Sequence, residues 1–122
     1  LPPALDPVGI TANFVSAAIL APIGEELFFR GFATTAWRRV LGAWPAIVRG
    51  AVFFSLAHVV TLFDTSAAEG AQRALYAFLV RLPVGIALGW LFLRRGSLWA
   101  PIGLHAVFNG LQVAALVSVE GG

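Results

Sequence analysis

Apolar residues fall in four long blocks along this chain, each near the roughly 20 residues that a helix needs to cross a bilayer. The blocks run from about Thr11 to Val40, Ala46 to Phe63, Arg73 to Leu93 and Leu98 to Val119. The joints between them are Leu41-Gly42-Ala43-Trp44-Pro45, Asp64 to Gly70 and Arg94-Arg95-Gly96-Ser97. Their Gly, Pro, Asp and Ser supply turn and cap chemistry. A sheet in lipid has to close into a barrel built from alternating segments of about ten residues, and none is present. The pattern therefore predicts an all-α, polytopic transmembrane bundle with about four membrane helices. No internal repeat or low-complexity tract interrupts it.

Composition strengthens that reading and removes several others. Of 122 residues, 59% are hydrophobic and 11% charged, where a soluble domain carries about a quarter charged residues. A water-soluble fold of this size has too little interior to hide so much apolar surface, so lipid is the expected solvent. The chain has no cysteine, which excludes disulfides, a thiolate nucleophile and Cys-ligated metal. The net charge of +2 is small and scattered, so nucleic acid is not an expected partner. Met is absent, also at position 1, which reads as a processed chain or a piece of a longer one. Leu1 to Asp6 has neither the basic nor the apolar region of a signal peptide.

Charge placement predicts an orientation. Arg38-Arg39 follow the first block and Arg94-Arg95 lie between the third and fourth, so alternating spans put both pairs on one side. The positive-inside rule assigns that side to the cytoplasm. The acidic joint with Asp64 and Glu69 falls opposite. Trp37, Trp44, Trp90 and Trp99 lie near block ends on the arginine side, as an interfacial aromatic belt would.

Against this background the buried polar residues stand out. A charge within a span costs at least about 2.5–3.5 kcal/mol on insertion scales and persists where it faces the protein interior and has work to do. Glu25, Glu26 and Arg30 lie in the first block, His58 in the second, Arg81 in the third, and His105 and Asn109 in the fourth. At 1.5 Å per residue from the cytoplasmic ends, Glu25 lies about 20 Å deep, His58 about 18 Å, Asn109 about 17 Å and His105 about 11 Å. Three helices thus bring polar groups to a shared level, which predicts one polar cavity.

Spacing then separates roles. Glu25 and Glu26 point about 100° apart on a helix. Glu26 and Arg30 share a face four residues apart, acid first, and are expected to form a supporting ion pair. That leaves Glu25 the less neutralised carboxylate, fit to act as a general base. His105 and Asn109 also share a face, where two donors could steady an oxyanion. Pro22 and Gly24 are expected to loosen the helix and free backbone carbonyls. The chemistry this predicts is peptide hydrolysis by water. Glu25, helped by His58, takes the proton; His105 and Asn109 hold the oxyanion; Glu25 returns the proton to the leaving amine. Ser55 lies three residues from His58, but nothing else marks it as a nucleophile. Arg81 fits no motif and is expected to pair with a carboxylate, or else to receive an anionic substrate terminus. Arg49 is expected to snorkel to the interface. Phe28, Phe29, Phe53 and Phe54 are expected to make lipid or core contacts.

Three motifs in order carry a family resemblance. Glu25-Glu26-Leu27-Phe28-Phe29-Arg30 reads as an EExxxR motif followed by Gly31, Phe54-Ser55-Leu56-Ala57-His58 as FxxxH, and His105-Ala106-Val107-Phe108-Asn109 as HxxxN. Each lies in its own span, and together they resemble the CPBP family, also called Abi or type II CAAX prenyl endopeptidase-like. The resemblance covers residues 10–119, leaving 1–9 as a lead-in and 120–122 as a tail. It implies a glutamic endopeptidase with the first glutamate as base, no required metal, Arg30 and Phe54 in support, and a bundle of more than four helices when complete. It also implies a substrate among membrane-associated or prenylated peptides, or a non-proteolytic role in bacteriocin self-immunity that binds a partner in the same cavity. Two His and a Glu also leave a zinc protease as an alternative, although H-E-x-x-H is absent. Abundant Ala, Gly and Arg without Lys reads as a GC-rich bacterial source and a plasma-membrane location, which favours bacteriocin-like or other membrane-associated peptides over CAAX proteins.

Overall fold

A computed structural model of the protein describes residues 6–60 and 67–122. The described residues form four helices and no strand: α1 Pro7–Leu41, α2 Ala43–Val59, α3 Ala67–Arg95 and α4 Trp99–Glu120. Three of them, α1, α3 and α4, are long and apolar enough to cross a membrane. The fourth, α2, has 17 residues, about 26 Å of helix. It ends at Val59 rather than at the expected Phe63, which lies outside the described residues, as does Asp64 of the acidic joint. The first helix starts four positions earlier than its apolar block, because Asp6 caps it. Asp6 Oδ1 accepts from the N–H groups of Val8 and Gly9 at 3.1 and 2.9 Å, with Pro7 opening the first turn.

Helix α1 is not a uniform α-helix. Wider π turns occupy Ser16–Leu20 and Leu27–Thr34, on either side of the α segment Ala21–Glu26. Local chemistry explains both. In the first, the Ala21 N–H reaches back to Ser16 O, so the next donor in that register belongs to residue 22, a proline with none. In the second, hydroxyls supply bonds of the same reach: Thr34 Oγ1 donates to Phe29 O at 2.8 Å and Thr35 Oγ1 to Arg30 O at 2.9 Å. The loosening expected around Pro22 and Gly24 thus takes the form of two π segments that bracket the glutamate pair. At the other end, Gly42 adopts φ +85°, a conformation side chains disfavour, and turns the chain directly into α2.

Close packing of small residues sets the helix directions. On α3, Gly85 and Gly89 lie against Ala51 and Ile47 of α2; a Cβ at Gly85 would sit 3.0 Å from Ala51 Cα. Leu98 sits against Gly31, and Phe14 against Gly110, so α4 runs antiparallel to α1. The same reasoning makes α2 antiparallel to both α1 and α3. Both arginine pairs and all four tryptophans therefore gather at one end of the bundle. Trp44, Trp90 and Trp99 are exposed there, and Trp37 is half-buried against Phe53.

The distribution of burial is that of a protein in lipid. Glu26, Arg30, Thr34, Ser55 and His105 are buried, while Leu20, Phe32, Leu75, Leu79 and Leu111 are exposed. Gly50 of α2 permits the tightest of these contacts, since any Cβ there would overlap Thr34 Oγ1. Gly50→Ala is expected to destabilise the protein by about 1–3 kcal/mol, read as a lower melting temperature in detergent. Adding Thr34→Ala should restore most of the loss. An unchanged melting temperature in the single variant would show that the two helices part at little cost.

Candidate active site

Glu26 is the buried hub. Its side chain is fully enclosed, and one oxygen, Oε1, accepts from Arg30 NH1 at 3.1 Å and from His105 Nδ1 at 2.7 Å. Arg30, also fully enclosed, sends its other amino group to the carbonyl of Gly85 on α3 at 2.9 Å. Its guanidinium lies 4.7 Å from the ring centre of Phe54 on α2, within reach of a cation–π attraction. One arginine thereby ties α1 to α2 and α3, and one carboxylate ties α1 to α4. The ion pair expected from the i,i+4 spacing is present; the bond from His105 to the same carboxylate is one that spacing within a single helix could not reveal.

Glu25, one residue earlier, turns toward a cavity. Its Oε2 lies 3.5 Å from His58 Nε2 and 3.3 Å from His105 Nε2. Neither approach is aligned as a hydrogen bond, and Oε2 has no other partner among the described residues. The second nitrogen of each ring is committed elsewhere. His58 Nδ1 lies 2.7 Å from Phe54 O; a carbonyl only accepts, so that nitrogen carries the hydrogen and Nε2 faces Glu25. His105 Nδ1 is held by Glu26 in the same manner. Phe54 holds both rings in place, its ring centre 4.5 Å from that of His58 and 5.5 Å from that of His105. It is a core contact, as expected.

The cavity measures about 340 Å³ and is lined by Glu25, His58 and His105 together with Arg81 and Asn109. Asn109 donates from Nδ2 to Ala17 O at 2.8 Å. That carbonyl is the one whose π-register donor would be the N–H that Pro22 lacks, so the asparagine replaces a missing backbone bond and pins α4 to the first π segment. Arg81 departs from expectation. It forms no ion pair among the described residues, because His58, His105 and Arg30 already surround the two glutamates. Ser55 is buried, with its hydroxyl turned back to Ala51 O at 2.8 Å.

A family model described as type II CAAX prenyl endopeptidase Rce1-like matches residues 7–111, a stretch that holds Glu25, Glu26, Arg30, His58, His105 and Asn109. The chain belongs to this family. No curated protein and no solved structure matches it. As an Rce1-like protein with three membrane-length helices, it is an integral membrane protein of the CAAX-type protease class.

The polar groups of this Rce1-like chain extend beyond the three motifs. The Gly85 carbonyl that receives Arg30, the Thr34 and Thr35 hydroxyls and the Gly50 gap were not singled out from the sequence. Signals for some of them exist. Gly85 and Gly89 form a G-x-x-x-G pair, and Ala46 with Gly50 repeats the small-residue spacing on α2. In lipid such pairs mark close helix contacts. The carbonyl itself carried no signal, since every residue has one.

Proposed function

We propose that this Rce1-like protein is an intramembrane endopeptidase that cleaves membrane-associated or lipid-modified peptides with a water activated by Glu25. The observation that carries the reading is the convergence of Glu25 Oε2 with Nε2 of His58 and His105 on the wall of one cavity. A water bound there donates one hydrogen to Glu25 and the other to His58 Nε2. Glu25 takes the proton as the oxygen attacks the scissile carbonyl carbon. The developing oxyanion accepts from the second N–H of Asn109 and from His105 Nε2 in its protonated form. In that form Glu25, Glu26, Arg30 and His105 sum to zero charge, the arrangement a buried cluster tolerates best. Collapse breaks the C–N bond, and Glu25 passes its proton to the leaving amine. The catalytic core spans residues 10–119. The end with both arginine pairs faces the cytoplasm of a bacterial plasma membrane.

Metal independence is part of the proposal. Among the described residues, no three His, Cys, Asp or Glu side chains are placed to hold a metal ion. Two histidines and a glutamate are nonetheless the residue types of a catalytic zinc set, which keeps zinc as the second reading.

The test compares membrane-associated peptides, by mass spectrometry, from cells making the intact protein or Glu25→Gln, each with and without a chelator. Products that vanish in the variant and survive chelation are the expected result. Products lost on chelation would transfer the reading to zinc. Identical profiles would mean that the cavity binds a partner without cleaving it, as a self-immunity protein would.

A further inference from the structure

The hydrolysis described above leaves one charge in the cavity unused. Arg81 lies in α3, Ala67–Arg95, eight residues and about 12 Å inside the apolar block that starts at Arg73, deeper than its side chain reaches by snorkelling. It lines the same cavity as Glu25, His58 and His105. Its hydrogen bond among the described residues runs from NH1 to Ala77 O of its own helix at 3.4 Å, close to the limit of such bonds. Glu26 is closed off by Arg30 and His105, and Glu25 is faced by the two histidines. The remaining wall near α4, Phe108, Gln112, Val113 and Leu116, carries no acid.

A guanidinium held within a membrane span with no counter-ion among the described residues is unfavourable unless a ligand supplies the anion. We propose that Arg81 receives a carboxylate of the substrate and thereby sets which peptide bond reaches Glu25. The proposal rests on the peptidase reading and adds to it a residue that determines specificity. Arg81 and Glu25 line one open-sided cavity. Anchor and scissile bond are therefore separated by few residues. A guanidinium suits the task because its planar fork engages both carboxylate oxygens, which an ammonium cannot do. The carboxylate has two sources, the free C-terminus of the peptide or an Asp or Glu side chain.

The experiment uses pools of randomised apolar decapeptides in three forms: free acid, C-terminal amide, and amide with one internal Asp. Cleavage by the full chain in liposomes is read by mass spectrometry. Retention is read separately on the Glu25→Gln protein, where no turnover is needed. The expected result is a preference for one carboxylate-bearing pool of about ten- to hundredfold, the usual worth of a hydrogen-bonded charge. Arg81→Gln should abolish the preference, and Arg81→Lys should keep part of it. Both variants should melt with the parent, since removing an unpaired intramembrane charge does not weaken packing. Preference for the free acid identifies the C-terminus, and preference for the Asp pool a side chain. Equal cleavage of all pools, unchanged by Arg81→Gln, would overturn the anchor and leave the peptidase intact. Carboxylate-selective retention without cleavage would uphold the anchor and remove the peptidase.

Discussion

Glu25→Gln is expected to insert, fold and melt as the unaltered protein does while losing about 10²–10⁴ of its hydrolytic rate, the usual contribution of a positioned general base. The adjacent Glu26→Gln should instead lose stability. Glu25 is 29% exposed and its Oε2 makes no aligned hydrogen bond, so an amide of the same shape fits without rearrangement. Glu26 is fully enclosed and holds both Arg30 and His105 through one oxygen. Neutralising it strips a buried guanidinium of its counter-ion, so the melting temperature falls, and activity falls with it because His105 loses its anchor. The measurement is paired: thermal melting in detergent and initial rate on a peptide found in the membrane comparison. A stable, inactive Glu26→Gln beside an unstable Glu25→Gln would reverse the assigned roles. The comparison is informative because the two substitutions are chemically identical and one residue apart.

Arg30→Met carries the largest expected cost in stability. It leaves Glu26 enclosed with a charge and one fewer donor, and it removes the bond to Gly85 O that joins α1 to α3. Breaking one side of a buried pair costs about 3–5 kcal/mol, which for a chain of this size lowers the melting temperature by about 10 °C or more. Most of that cost is the stranded carboxylate rather than the lost contact. The double variant Glu26→Gln with Arg30→Met should therefore recover much of the stability while staying inactive. A double variant as unstable as the sum of the singles would show that the two side chains act independently. It would place the value of Arg30 in its contacts with Phe54 and Gly85.

How far the sequence reached is clearest residue by residue. Four apolar blocks were enough for an all-helical membrane bundle, because a bilayer allows no other use of such stretches. They could not locate the end of α2 or the start of α1, since hydropathy is blind to a capping aspartate and to where a short helix stops. The Glu26–Arg30 pair was legible because both partners share one helix face. Its third member, His105, lies 79 residues away, and no spacing rule spans that interval. Pro22 announced a disturbance in α1, but no spacing within α1 could show that Asn109 of α4 would bond the Ala17 carbonyl. Arg81 shows the limit most plainly. A lone intramembrane cation reads as half of an ion pair, and only the positions of the other helices reveal that, among the described residues, both glutamates at the cavity are already taken.

By itself, then, the sequence determined the solvent, the helical class, the gathering of both arginine pairs at one end and the identity of the polar side chains placed within the spans. These follow from composition, from local spacing and from the cost of charge in lipid. The tertiary structure decided which of two adjacent glutamates is buried as a brace and which opens to the cavity, which nitrogen of each histidine faces it, and what Arg81 lacks. Those outcomes depend on how α2, α3 and α4 close around α1, through glycine contacts and a carbonyl that no residue pattern distinguishes.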